Sequence, residues 1–489
     1  MNETIGGLTP RRKMIVLASC CLSLLIVSMD MTIVNVAIPS IQTAFDASPA
    51  HLQWVIDIYT LVLASLLLLA GAAGDRWGRR RVFQSGLVIF AFGSLLCSLA
   101  PSVDMLIAAR LIQAVGGSML NPVAMSIITQ VFTGRVERAR AIGVWGAVVG
   151  IAMALGPIVG GALIQYGNWR SVFWINLPIC LLAIVLTAVF VPESKAAVRR
   201  GIDPVGQLLG MATLFGIVYV LIEAPSKGWA DPVTMLVLVI ALFAFGAFLW
   251  WESRHRSPFI DLRFFRSIPF SSATFIAVCA FAAYGAFLFM MSLYLQGYRG
   301  YSALHTGLLY LPLAVGALIF SPLSGRLVGR YGGRPSLVAA GVLMTVATVL
   351  MSFMTGTTPV WQLIVIFAVF GIGFSMVNAP ITTAAVSGMP MDRAGAASGV
   401  ASTSRQVGVS LGVALCGSIA GAAIAAPAAD FSTQARPLWL VCAALGVVVT
   451  ALGVYSTSAR ATASADRLAP LIAGSGLGTG DLRAAQPAR

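Results

Sequence analysis

Apolar residues run along this chain in long blocks, separated by short segments that hold most of the charged residues. A helix that crosses a bilayer takes roughly 20 mostly apolar residues. Blocks of that length fall near 14–38, 52–71, 82–100, 104–128, 139–164 and 170–191, then near 206–224 and 233–251. Six more fall near 271–296, 304–325, 336–354, 361–385, 397–421 and 437–457. None shows the strict alternation of a barrel strand, and lipid requires every backbone polar group to be paired within the protein, so each block is predicted as a helix. The pattern therefore predicts an all-α membrane protein of fourteen spans, numbered here in chain order.

Composition supports this reading. Hydrophobic residues make up 58% of the 489 and charged residues only 10%, where soluble domains carry about 25%. The formal net charge of +14 invites a nucleic-acid reading until the charges are placed. With the N-terminal tail inside, 25 of the 31 Lys and Arg fall on inner loops and tails and 4 on outer loops; Arg110 and Arg405 lie within spans. That asymmetry puts both termini in the cytoplasm, which fourteen spans satisfy, and makes the positive charge a topology signal. The seven cysteines lie in apolar stretches without a CxxC pair, so neither a disulfide framework nor a metal site is expected. Arg11, Arg12 and Lys13 precede an apolar run too long for a signal-peptide core, which is read as span 1.

The chain also repeats itself. Gly71 to Arg80 after span 2 echoes Gly325 to Arg334 after span 10, and Gly116 to Asn121 in span 4 echoes Gly373 to Asn378 in span 12. Two matches at nearly one offset predict two homologous six-helix bundles, a parallel repeat of the kind that places a transport site between its halves. The expected organisation is a cytoplasmic tail over 1–13, an N-terminal bundle over 14–191, a linker with two inserted helices over 192–268, a C-terminal bundle over 269–457 and a disordered cytoplasmic tail over 458–489.

Several short patterns carry chemistry. Gly71, Asp75, Arg76, Gly78, Arg79 and Arg80 form a tight charged turn at the cytoplasmic edge. A carboxylate there suits a neighbouring helix N-terminus and serves as a conformational gate. The second copy has Gly329 in place of Asp75, so the lock is one-sided. Span 5 carries Gly146, Gly150, Gly156, Pro157, Gly160 and Gly161, small residues for close helix approach with a Gly-Pro bend. Span 1 reads Asp30-Met-Thr-Ile-Val-Asn35-Val-Ala. Together these resemble the major facilitator superfamily over essentially the whole chain, and the fourteen spans point to its drug:proton antiporter branch. The resemblance implies proton-driven efflux of drugs or antibiotics across a bacterial cytoplasmic membrane by a monomer, with small-molecule substrate, protons and lipid as partners and no cofactor. It also gives Arg110 a part in proton transfer. Ala114 departs from the glycine usual there and leaves Arg110 untouched.

Depth adds to this. An ionised residue near the bilayer centre costs about 2.5–3.5 kcal/mol on insertion scales, so it faces a cavity or a partner. Asp30, Asp57 and Arg110 all fall in the outer half of the N-terminal bundle, with Asp30 and Arg110 a candidate pair. A carboxyl that changes exposure between states can take up a proton on one side and release it on the other. For the substrate cavity the candidates are Asn35, Trp54, Gln113, Tyr284, Phe287, Met291, Asn378 and Arg405; packing is the competing reading of the aromatic and sulfur side chains. A polar-metabolite importer and a non-transporting sensor remain the alternatives. An enzyme is disfavoured because no metal-ligand cluster or nucleophile–base pair appears, and an ATP-driven pump because no phosphate loop does.

Overall fold

The structure, a computed structural model, describes residues 9–195, 203–255, 260–387, 394–425 and 431–473. Among them no strand occurs, and twelve helices are long and apolar enough to cross a membrane. These are spans 1–4 (Pro10–Phe45, Pro49–Trp77, Arg79–Leu99, Val103–Val131), 6–8 (Ser171–Phe190, Pro204–Lys227, Pro232–Arg254), 9–12 (Ile268–Tyr298, Ala303–Tyr331, Arg334–Met351, Val360–Val386) and 14 (Phe431–Tyr455). Spans 5 and 13 are the 32-residue helices Arg135–Tyr166 and Ala394–Ala425, each with residues whose side chains fall outside the described set. The count of fourteen is thus compatible with the fold, with twelve established by length and apolarity.

Sequence chemistry sets the helix ends. Spans 2, 7 and 8 each open on a polar cap followed by proline (Ser48-Pro49, Asp203-Pro204, Asp231-Pro232), and the cap side chain accepts the amide three residues on. The cap satisfies an orphan donor, and proline has none to lose. Spans 2 and 10 both end on glycine at positive φ, Gly78 at 116° and Gly332 at 76°, the corresponding positions of the internal repeat. Span 12 breaks at Met376 and Val377, between Val360–Ser375 and Asn378–Val386. The freed Met376 carbonyl accepts from the Ser324 and Ser336 hydroxyls at 3.0 and 2.8 Å, which supplies the pairing lipid cannot.

The helices pair alike in both halves. Span 1 lies on 5, 2 on 4, 3 on 4 and 3 on 6; span 9 lies on 13, 10 on 12, 11 on 12 and 11 on 14. The halves meet through spans 2 and 13 and through 5 and 10, two contacts that the repeat exchanges. The inserted spans 7 and 8 pack on each other, and span 7 lies against both 2 and 13.

One sequence expectation is corrected here. Residues 459–473, expected to be disordered, form the helix Ala459–Ala473. Ala461, Ala465 and Leu468 are buried along one face while Arg460 and Arg467 are exposed, and the Ser464 hydroxyl accepts from the Ile268 amide at 2.9 Å. The expectation for 474–489 lies outside the described residues.

Candidate functional site

The N-terminal bundle encloses a charged network drawn from five helices. Asp30 of span 1 is fully buried, and its Oδ2 is ion-paired with Nη1 of Arg110 on span 4, itself 1% exposed. Its Oδ1 accepts from Gln113 Nε2 at 2.9 Å and from Asn176 Nδ2 of span 6 at 3.3 Å. Arg110 donates further to Gln113 Oε1 at 2.7 Å and to the Val55 carbonyl of span 2 at 3.1 Å, and its guanidinium lies 4.1 Å from the Tyr59 ring centroid. Gln113 and Asn176 both reach Ser94 Oγ of span 3, at 2.8 and 3.3 Å. Burying two charges is tolerable only when they are paired and their remaining valences filled. Here both conditions hold for Asp30.

Asp57 contrasts with it. It is also fully buried, on span 2, yet neither carboxylate oxygen meets hydrogen-bond geometry with any described group. The Ser410 hydroxyl of span 13, itself buried and unpartnered, and that of Thr60 face it; Thr60 gives its proton to the Asp57 main-chain carbonyl at 3.2 Å. One turn nearer the start of span 2, Gln53 Nε2 donates to the span 13 carbonyls of Val413 and Ala414 at 2.5 and 3.4 Å. Asp57 therefore sits on the seam between the bundles, and Asp30 within one of them.

The half of that seam toward the start of span 2 is closed. Gln296 Nε2 donates to the Val36 carbonyl at 2.9 Å. Span 5 carries Gly156 and Gly160 against Thr32 and Ile33 of span 1, while Gly161 and Pro157 meet Ala303 and Gly307 of span 10. A Cβ at Gly161 would stand 2.4 Å from the Ala303 carbonyl oxygen, and one at Gly307 2.3 Å from that of Pro157. Gly146 and Gly150 belong to the same helix, but their packing lies outside the described residues.

At the turn after span 2 Asp75 accepts from Arg79 Nη2 at 2.9 Å and Nε at 3.2 Å, and Arg79 Nη1 donates to Gln130 Oε1 at 2.7 Å. The Arg80 amide donates to Glu193 at 3.2 Å, and its side chain donates to the Ala188 carbonyl at 2.6 Å. A Cβ at Gly78 would lie 2.7 Å from Glu193 Oε1, so glycine is required there by φ and by space. Gly71 lies against Pro122 and Arg76 is exposed. All these described contacts stay within the N-terminal half, so in this conformation the turn is tied to span 4 and to span 6 and its exit.

The cavity candidates separate. Asn35 is buried, with Nδ2 on the Met31 carbonyl at 2.9 Å and Oδ1 unpartnered. Gln406 of span 13 reaches Met31 Sδ at 3.8 Å, and Arg405 Nη2 donates to Thr382 Oγ1 at 2.7 Å with its Nε unpartnered. Tyr284 stacks on Phe374 at 4.1 Å with a free buried hydroxyl. Asn378, at the break in span 12, is half-buried. Phe287 and Met291 are fully buried, Phe287 among Tyr310, Phe367 and Phe370, the packing reading of both. Trp54 turns to the inserted pair, its Nε1 donating to Glu223 at 2.9 Å. Asn176, Ser94, Tyr59 and Ser410 were not singled out from the sequence. A lone asparagine in the apolar run Phe173-Trp-Ile-Asn-Leu was a usable signal; the serines and the tyrosine offered none.

Residues 20–413 match the sequence profile of the Major Facilitator Superfamily. The multidrug resistance protein Stp of Mycobacterium tuberculosis is 36% identical over 428 residues, 87% of this chain and 79% of that protein. The tetracenomycin C resistance and export protein of Streptomyces glaucescens is 36% identical over 82% of this chain and 74% of its own length. The methylenomycin A resistance protein of Bacillus subtilis is 33% identical over 88% and 94%. A bacterial homologue of the human lysosomal transporter Spinster, solved inward-facing and unoccupied, shares the fold with a TM-score of 0.61 at 19% identity, covering 96% of this chain and all of that one.

Proposed function

From the premise that this chain belongs to the major facilitator superfamily, we propose that it exports lipophilic cationic drugs or antibiotics in exchange for protons, by alternating access between its two bundles. The protein is a multi-pass membrane transporter of the superfamily whose relatives are named for multidrug and antibiotic resistance. The reading places it, as a monomer, in the bacterial cytoplasmic membrane with both termini inside, in line with the charge asymmetry of its loops.

The observation that carries the coupling is the contrast between two buried carboxylates. Asp30 has its charge neutralised and its oxygens occupied, whereas Asp57 has no cationic partner among the described residues and is faced only by the Ser410 and Thr60 hydroxyls. An unpaired buried carboxylate costs several kcal/mol, and a proton or a cationic ligand relieves that cost. Competition of the two for Asp57 is antiport. Asp30, Arg110 and Gln113 then form the partner network, which takes or returns a proton when the bundles rearrange. The closed outer half of the seam leaves loading to the inner side. Exchange of one proton for one monovalent cation moves no net charge, so the pH gradient drives it: each pH unit supplies about 1.4 kcal/mol and supports a tenfold gradient of the cation.

Ethidium export into inverted vesicles, with and without an imposed pH gradient, tests this. The expected result is gradient-driven accumulation that Asp57→Asn abolishes while the protein stays folded. Accumulation that ignores the gradient sinks the antiport reading, and unchanged coupling in Asp57→Asn sinks the role of that residue.

A further inference from the structure

Spans 2, 7, 8, 9 and 13 enclose a cavity of about 200 Å³ that none of the coupling residues lines. It lies toward the ends of spans 7 and 9 that carry the basic loops. Gln207 stands about 5 Å, and Val278 about 15 Å, from the first residues of their helices by helical rise. Its mouth is apolar and open: Phe245 and Phe265 are 46% and 37% exposed. Its floor is buried and holds Ser65 and Gln207 at 4% and 5% exposure. Among the described residues no charged one lines it.

The polar atoms on the floor are unevenly used. Thr213, Thr274, Thr403 and Ser404 each spend their hydroxyl on a main-chain carbonyl. Gln207 Nε2 is likewise occupied, by the Ser65 carbonyl. Two atoms are left over: Gln207 Oε1 and Ser65 Oγ are buried without a partner. Buried polar atoms are rarely left unpaired, so an acceptor and a hydroxyl at the bottom of an apolar chamber are poised for a ligand that supplies hydrogen bonds.

We propose that this cavity binds an uncharged lipophile carrying a hydroxyl or N–H donor, which enters sideways from the membrane past Phe245 and Phe265 and donates to Gln207 Oε1. Its uncharged lining, among the described residues, sets it apart from the Asp57 seam, which suits a cation. Its walls come from both bundles and from the inserted pair, so an occupant touches all three. Two sources share this chemistry, a neutral membrane lipid with a free hydroxyl and an exported compound on its way in.

The test is photolabelling of the full-length protein in nanodiscs with 3-azioctanol, an uncharged photoactivatable alcohol, beside a diazirine alkane that lacks the hydroxyl. Adducts are mapped by mass spectrometry. The expected result is alcohol adducts concentrated on cavity residues such as Met211 and Phe248. Gly210→Leu removes them without touching adducts on the exposed Phe243. A Cβ at Gly210 meets only Phe248, at 3.6 Å, so the added side chain extends into the void. Ser65→Ala breaks no hydrogen bond and is expected to lower alcohol labelling about two- to tenfold while leaving alkane labelling unchanged. Protection by 1,2-dioctanoylglycerol assigns the site to lipid, and protection by chloramphenicol assigns it to compounds bound for export. Adducts that follow exposure alone, or cavity adducts that persist in Gly210→Leu, overturn the proposal. Neither depends on the outcome of ethidium transport.

Discussion

At the scale of the residue, Asp30 and Asp57 are equally buried and chemically identical, and their surroundings make them different groups. Asp30 accepts from Arg110, Gln113 and Asn176, so its charge is part of what holds spans 1, 4 and 6 together. Removing one member of a buried ion pair strands the other and costs about 3–5 kcal/mol, whereas replacing both is often near neutral. Arg110→Gln is therefore expected to lower thermal stability in detergent markedly, and the double variant Asp30→Asn with Arg110→Gln to recover most of the loss. A single variant as stable as the parent would show that the pair does not hold the bundle. No comparable loss is expected for Asp57→Asn, because no ion pair to its side chain is there to break and an amide oxygen still accepts from the facing Ser410 and Thr60 hydroxyls.

At the scale of the element, span 5 decides how closely the bundles meet. Its glycines serve two neighbours at once, with Gly156 and Gly160 on span 1 and Gly161 on span 10. Backbone approach this tight admits no side chain on the Gly161 face. Gly161→Leu is expected to hold the outer seam open and to stop export. In a background lacking the seven native cysteines, Asn35→Cys, buried beside the Gln296–Val36 hydrogen bond, becomes reactive toward a membrane-impermeant thiol reagent from outside when Gly161→Leu is added. Unchanged reactivity there would mean the seam closes without span 5. The inserted pair acts as an element too, tied to span 2 through Trp54–Glu223 and Gln207–Ser65 and to span 13 through the Ser418 hydroxyl on the Leu221 carbonyl at 2.6 Å. It covers one of the two lines along which the bundles touch.

At the scale of the whole molecule, orientation follows from where the arginines fall. A lone cysteine in the turn 72–81 is expected to escape an impermeant reagent added to intact cells and to react in inverted vesicles. Labelling from outside would reverse the topology and, with it, the direction of export.

The sequence by itself determined the helices, their places and the doubled plan, because lipid leaves a backbone no choice but helix and apolar length is a local property. It also marked Asp30, Arg110 and the Gly78 turn, since a charge or a positive φ inside such a pattern is rare enough to notice. Tertiary structure alone decided the rest. It joined Asn176 and Ser94 to the Asp30 network, set Trp54 Nε1 on Glu223 of the inserted pair, folded 459–473 into a helix docked on the start of span 9, and left Asp57 between the bundles without a cationic partner among the described residues. Each of these depends on which helix faces which, and that is settled by contacts between residues far apart in the chain, where no local pattern records them.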